Sequence, residues 1–251
     1  MKIQHRVLAL LTALAMSGPV WANAGYVRGD FAYSWALDNQ ATQTSLVGYP
    51  ATTANYDLQI SPVPLGQLGF GYQVNPYVRF DLTGALTGSR EANVDCSNSS
   101  SACLDAHSAG LAVDTSTLFV NAYYELASLW TKGTKGTKDA TRWHPYIGVG
   151  LGSAYQYMSG TNVPISVNGT SYLLDVDSNG QWQFAWRGMA GLAVTLADNL
   201  LLDMSYVYMG AGQAESGTAA QFGPGGSVQL QEPMTMDMNV QEVYVGLRQY
   251  F

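Results

Sequence analysis

The sequence predicts an all-β chain: an eight-stranded antiparallel transmembrane β-barrel with short turns at one end and four long loops at the other. Three observations predict it. Segments of about 9–14 residues alternate apolar and polar side chains with the period of two that strands require. Their number is even, as a small membrane barrel needs. The charged residues within them fall on one face of each segment, opposite the aromatic and aliphatic ones.

The first segment, Gly25–Ala36, sets Val27, Phe31, Tyr33 and Trp35 against Arg28, Asp30 and Ser34. Leu65–Val74 sets Leu68, Phe70 and Tyr72 against Gln67, Gly69, Gly71 and Gln73. Asn75-Pro76 is a turn signal, and Tyr77–Gly88 follows with Val78, Phe80, Leu82 and Leu86 opposite Arg79, Asp81 and Thr83. Thr115–Leu126 has Leu118, Val120, Ala122 and Tyr124 outward, Asn121 and Glu125 inward. His144–Tyr157 places Ile147, Val149, Leu151, Tyr155 and Tyr157 against Gly148, Gly150, Gly152 and Gln156. Gln181–Leu196 places Trp182, Phe184 and Trp186 against Gln183, Arg187 and Thr195. After the Asp198-Asn199 turn, Leu200–Met209 sets Leu202, Met204, Tyr206 and Tyr208 against Asp203 and Ser205. The eighth, Asn239–Phe251, has Val243, Val245, Leu247 and Phe251 on one face and Glu242, Tyr244, Gly246, Arg248 and Tyr250 on the other.

The connections alternate in length. Short or medium links lie at Val74–Pro76, Ala127–Trp143 and Ala197–Asn199; long ones at Leu37–Pro64, Ser89–Asp114, Met158–Gly180 and Gly210–Met238. In bacterial outer-membrane barrels short turns are periplasmic and long loops extracellular. That places both termini in the periplasm and predicts the bacterial cell outer membrane as the location.

The N-terminus fits export. Lys2, His5 and Arg6 precede the apolar run Val7–Met16, and Ala22-Asn23-Ala24 is an A-x-A cleavage site. The run is about half the length of a membrane-spanning helix. Residues 1–24 are therefore expected to be a cleaved signal peptide and residues 25–251 the barrel domain.

Beyond residue 24 nine basic residues face 18 acidic ones, a net charge of −9, which argues against nucleic acid as a partner. Arg28, Arg79, Arg187 and Arg248 all fall on the inferred interior face, with Asp30, Asp81, Glu125, Asp203 and Glu242. A lipid-facing arginine at mid-membrane costs about 2–4 kcal/mol, so one shared face points to the lumen. A barrel of this size is just wide enough to be filled by side chains. Paired arginines and carboxylates are expected to plug it; a gated narrow porin-like channel for small solutes is the alternative. The outward aromatics near strand ends suit the girdles of a membrane barrel, where a soluble barrel would turn its apolar face inward.

Four stretches, PYIGVGLG at Pro145–Gly152, WRGMAGLAV at Trp186–Val194, LLLDMSYVYMGAG at Leu200–Gly212 and VGLRQYF at Val245–Phe251, resemble the eight-stranded barrels of the opacity-protein and OmpA-like surface-antigen group. The resemblance spans the whole barrel domain and carries topology rather than chemistry. Val207 stands where that group often has an inward arginine between two tyrosines, and Gln249 where an apolar residue is usual. The resemblance implies surface roles: adhesion, envelope integrity or, in some members, weak porin activity. It also implies that Phe251 closes a C-terminal signal read by the barrel-assembly machinery. Expected partners are outer-membrane lipid, lipopolysaccharide, that machinery, and a host or extracellular ligand met by the loops.

No enzyme, cofactor or metal site is expected. His107 and His144 fall at opposite ends of the barrel, and a metal needs several converging ligands. Outer-membrane lipid A enzymes share the fold, but His107 beside Ser108 lies outside any strand that could fix a nucleophile. Cys96 and Cys103 suit one local disulfide stapling the second loop of an exported protein. Met234, Met236 and Met238 read as the approach to the last strand.

Overall fold

A computed structural model describes residues 24–37, 40–44, 53–95, 110–126, 143–159, 161–167, 170–222, 226–230 and 232–251. In chain order the strands are β1 (Ala24–Ala36), β2 (Gln40–Thr44), β3 (Thr53–Ile60), β4 (Val63–Asn75), β5 (Val78–Thr87), β6 (Arg90–Asp95), β7 (Gly110–Glu125) and β8 (Trp143–Ser159). They continue with β9 (Thr161–Val167), β10 (Thr170–Val176), β11 (Asn179–Ala197), β12 (Leu200–Glu215), β13 (Ala219–Phe222), β14 (Gly226–Gln229) and β15 (Thr235–Tyr250).

Eight of them close an antiparallel barrel, β1-β4-β5-β7-β8-β11-β12-β15, with β15 returning to β1. The closure is long, running from Tyr26↔Tyr250 to Ala36↔Val240. Closure leaves no unpaired edge within the bilayer, where an orphaned backbone group would cost several kcal/mol (about 2–7 by transfer estimates). All eight predicted segments are barrel strands, and Asn75–Tyr77 and Asp198-Asn199 form the tight periplasmic turns. At the first, the Asn75 side chain accepts from the backbone N–H groups of Tyr77 and Val78, at 2.8 and 2.9 Å.

The four segments expected to be loops contain strands. β2, β3 and β6 extend the wall above the membrane, bridging β15 to β7 in the order β15-β2-β3-β6-β7. β9 and β10 pair with β13 and β14 in a separate four-stranded sheet. The expected strands stopped short at Pro64, Gly88 and Gly210, residue types that punctuate strands. Pairing resumes beyond each, because the following residues find a partner strand already in place. The last strand likewise begins at Thr235 rather than Asn239.

Inward-facing positions follow a rule of size. Tyr26, Tyr123 and Tyr146 are paired directly with Gly71, Gly148 and Gly191 on the next strand. Arg28 faces Gly69, Asp30 faces Gly246, and Gly150 lies between Asn121 and Arg187. A Cβ on Gly71 or Gly191 would run into the tyrosine ring beside it. Each large side chain lies over the glycine of its neighbour, which lets a narrow barrel fill its centre closely.

Candidate functional site: the barrel lumen

The lumen has two tiers. The lower tier is polar and contains all nine predicted interior charges. Arg28 grips Asp30 with two parallel bonds, Nε to Oδ2 at 2.8 Å and Nη2 to Oδ1 at 2.9 Å. Its Nη1 reaches Asp81 Oδ2 at 3.3 Å and the Tyr123 hydroxyl at 3.1 Å. Asp81 also accepts from Asn121 at 2.6 Å, Tyr26 at 3.1 Å and Tyr123 at 3.2 Å. One carboxylate thus ties β1, β5 and β7 together.

Arg79 donates to Glu125 at 2.8 Å and to the Tyr26 hydroxyl at 3.2 Å. Its guanidinium lies 3.6 Å from the Tyr123 ring centroid and 4.6 Å from that of Tyr146, a desolvated cation between aromatic faces. Nearer the periplasm, Arg248 meets Asp203 at 3.0 Å and Glu125 at 3.7 Å. The Tyr146 hydroxyl donates to the other Asp203 oxygen.

Two residues depart from the expected ion pairing. Arg187 directs its donors to neutral acceptors: Asn121 at 2.9 Å, Gln67 at 3.0 Å and Thr83 at 2.6 Å. Glu242 accepts from the Tyr244 hydroxyl at 2.7 Å and forms no ion pair with an arginine among the described residues. The bidentate geometry expected throughout is found at Arg28–Asp30, because the amide and hydroxyl groups around Arg187 already satisfy its fork.

Arg90, assigned by sequence to an external loop, is buried and donates to the Ser34 hydroxyl at 2.9 Å. The available signal was its alternation with Ala92 across the Gly88-Ser89 break. With it, the buried charges among the described residues are five arginines and five carboxylates. A small space of about 10 Å³, bordered by Arg28, Arg187, Ser205 and Val207, is room for at most one water. Val207 faces inward there, where the opacity group often has arginine.

The upper tier is apolar. Ala41, Leu58, Ala92, Leu111 and Val113 pack with Phe119, Met158, Met209, Met236, Met238 and Val240 in one buried cluster. Val176 of β10 and Ala220 of β13 join it, so the extramembrane sheet rests on the barrel mouth. The outer face is the reverse: Leu68, Phe31, Leu86, Phe70, Val149 and Leu151 are all more than 60% exposed, and Trp35 and Trp182 lie toward strand ends. Polar inside and apolar outside is the inverse of a water-soluble barrel.

OprG from Pseudomonas aeruginosa has a similar structure, with a TM-score of 0.52 and 18% identity over 92% of this chain and 97% of OprG. The chain is an eight-stranded outer-membrane β-barrel. The resemblance to the opacity and OmpA-like barrels holds at the level of the fold. An uncharacterised protein of Brucella abortus is 27% identical to the outer-membrane barrel over 99% of this chain and 90% of its own length. Outer membrane protein PagN of Salmonella typhimurium is 30% identical over 101 residues, 40% of this chain and 36% of PagN. No protein-family profile matches the chain.

Phe251 leaves the barrel half-exposed, its backbone N–H bonded to the Gly25 carbonyl at 3.0 Å. Gln249 lies on the outer face at the periplasmic rim, its amide reaching the Tyr250 carbonyl at 3.3 Å. His144 pairs with the Thr195 hydroxyl at 3.1 Å. Residues 1–23 of the expected signal peptide, Cys96 and Cys103, and His107 with Ser108 lie outside the described residues.

Proposed function

We propose that this outer-membrane barrel is a surface protein whose lumen is a structural plug and whose work is done by its β-structured extracellular face. The filled lumen carries the reading: a balanced network of buried charges below and a close-packed apolar tier above. A solute would have to part both. Buried ion pairs are weak evidence for net stability, but they fill the space a conducting path would need.

The extracellular face has a definite charge. Of the nine basic residues beyond residue 24, Arg28, Arg79, Arg90, Arg187 and Arg248 are buried in the lumen, and Lys132, Lys135, Lys138 and Arg142 belong to the periplasmic connection. The outer segments keep their acids, with Glu91, Asp114, Asp175, Asp177, Glu232 and Asp237 exposed. Such a face favours cationic partners and repels anionic ones by field alone. It would meet lipopolysaccharide phosphates through divalent cations rather than through its own side chains. Adhesion and envelope integrity both fit this reading, with recognition by the assembly machinery at Phe251 as its route to the membrane.

The deciding experiment is single-channel recording of the refolded protein in a planar bilayer, with insertion checked independently. Silence in both wild type and Arg187→Ala is the expected result. Reproducible conductance steps that Arg187→Ala alters would overturn the plug and make a narrow pore the working function. Shortening the extracellular hairpins should abolish surface binding of a cationic probe, such as a polylysine peptide, while heat-modifiable barrel mobility persists.

A further inference from the structure

The upper tier has an unusual composition. Of the seven methionines beyond residue 24, five are in this one cluster: Met158, Met209, Met234, Met236 and Met238, each at most 4% exposed. Strand interiors ordinarily favour β-branched and aromatic residues; here the thioethers are interspersed with seven alanines. Met234, Met236 and Met238 occupy successive inward positions on the last strand and its approach. Met209 comes from the adjoining β12, where it pairs with Val240, the next inward position. Met158 comes from β8, paired with Val113 across the barrel wall. Three separate strands therefore contribute methionine side chains to one buried, mainly apolar compartment.

Thioethers are soft, unbranched ligands whose three rotatable bonds let sulfurs converge on a common point. They select soft metals such as Cu(I) over hard, oxygen-seeking cations. None of the nineteen buried residues of this cluster carries an oxygen or nitrogen ligand in its side chain, and the polar groups at its edge, the Gln156 amide and the Ser216 hydroxyl, are neutral, so a hard divalent ion finds no carboxylate there. On β15 the next inward residue below Val240 is Glu242, a buried carboxylate able to offset one positive charge. We propose that the extracellular half of the lumen is a binding site for a soft monovalent cation, Cu(I) or Ag(I), held by Met209, Met236 and Met238 with Met158 and Met234 in reserve. The site stands on the side-chain chemistry of the lumen and does not depend on what the loops bind.

The test uses the refolded full barrel in detergent, carrying Cys96→Ser and Cys103→Ser so that thiols cannot compete. Silver nitrate in chloride-free buffer is the probe, with metal counted by mass spectrometry after desalting. One Ag(I) retained per barrel, with a sulfur-only shell by X-ray absorption, is expected. The Met209→Leu, Met236→Leu, Met238→Leu variant keeps the packing volume and should bind at least tenfold more weakly. Should that variant fail to fold, Met236→Leu alone should still lower the affinity measurably. Absence of binding to the starting protein, binding unaffected by the leucine substitutions, or loss that follows His107→Gln or His144→Gln instead would each overturn the proposal.

Discussion

Tyr123 lies against Gly148, its direct partner across the barrel wall, so closely that a Cβ on Gly148 would stand 2.6 Å from the ring. The ring cannot yield easily, since its hydroxyl is held by Arg28 and Asp81 and its face by Arg79. Gly148→Ala is expected to lower stability by about 1–3 kcal/mol, the usual cost of overpacking. A lower urea midpoint for the refolded barrel is the sign to look for, partly restored by adding Tyr123→Leu. An unchanged midpoint would mean that the interior is looser than its registers imply.

Arg28 and Asp30 are the tightest ion pair of the lumen. Arg28→Ala strands Asp30 and weakens the hold on Asp81, which should cost about 3–5 kcal/mol, as breaking one side of a buried pair does. The double variant Arg28→Met, Asp30→Leu removes both charges and should recover most of that loss. Urea unfolding of the three proteins makes the comparison, and a double variant no better than the single would contradict the pairwise picture.

Leu68 is 74% exposed on the outer face, and its neighbour Gln67 is buried. Leu68→Arg should cost about 2–4 kcal/mol in a bilayer and considerably less in a detergent whose headgroups reach the site. Refolding into vesicles and into micelles separates the two environments. Equal effects in both would place Leu68 away from the hydrocarbon.

Arg90 fastens β6 to β1 through Ser34. Arg90→Ala should leave the barrel's circular-dichroism spectrum intact yet speed proteinase K cleavage in the segment that follows Asp95. Cleavage at the wild-type rate would assign Arg90 no role in holding that extension.

Much of this arrangement could be read from residues alone, and the part that could not has a physical reason. Alternation placed Arg28, Arg79, Arg187 and Arg248 on the lumen side because a strand has only two faces, and the one that meets lipid penalises charge. The same alternation carries no information about which strands meet above the membrane, where water accepts either face. Hence β2, β3 and β6 went unread, and Arg90 with them. Pairing within the network was also hidden: Arg187 reaches over Gly150 to Asn121 and on to Gln67 and Thr83 of β4 and β5, a matter of barrel closure rather than of local sequence. The methionines of the upper tier were visible only as a run of three, since Met158 and Met209 join them through tertiary packing.

The placement of a bulky residue over the glycine of the adjacent strand reaches beyond stability. A barrel built this way constrains its own descent: enlarging a side chain on one staple of the wall demands a reduction on the next, so accepted changes inside the lumen should travel as couples between neighbouring strands. The exposed positions of the extracellular segments are under no such bond, and are free to diverge one residue at a time while the cylinder beneath them keeps its shape.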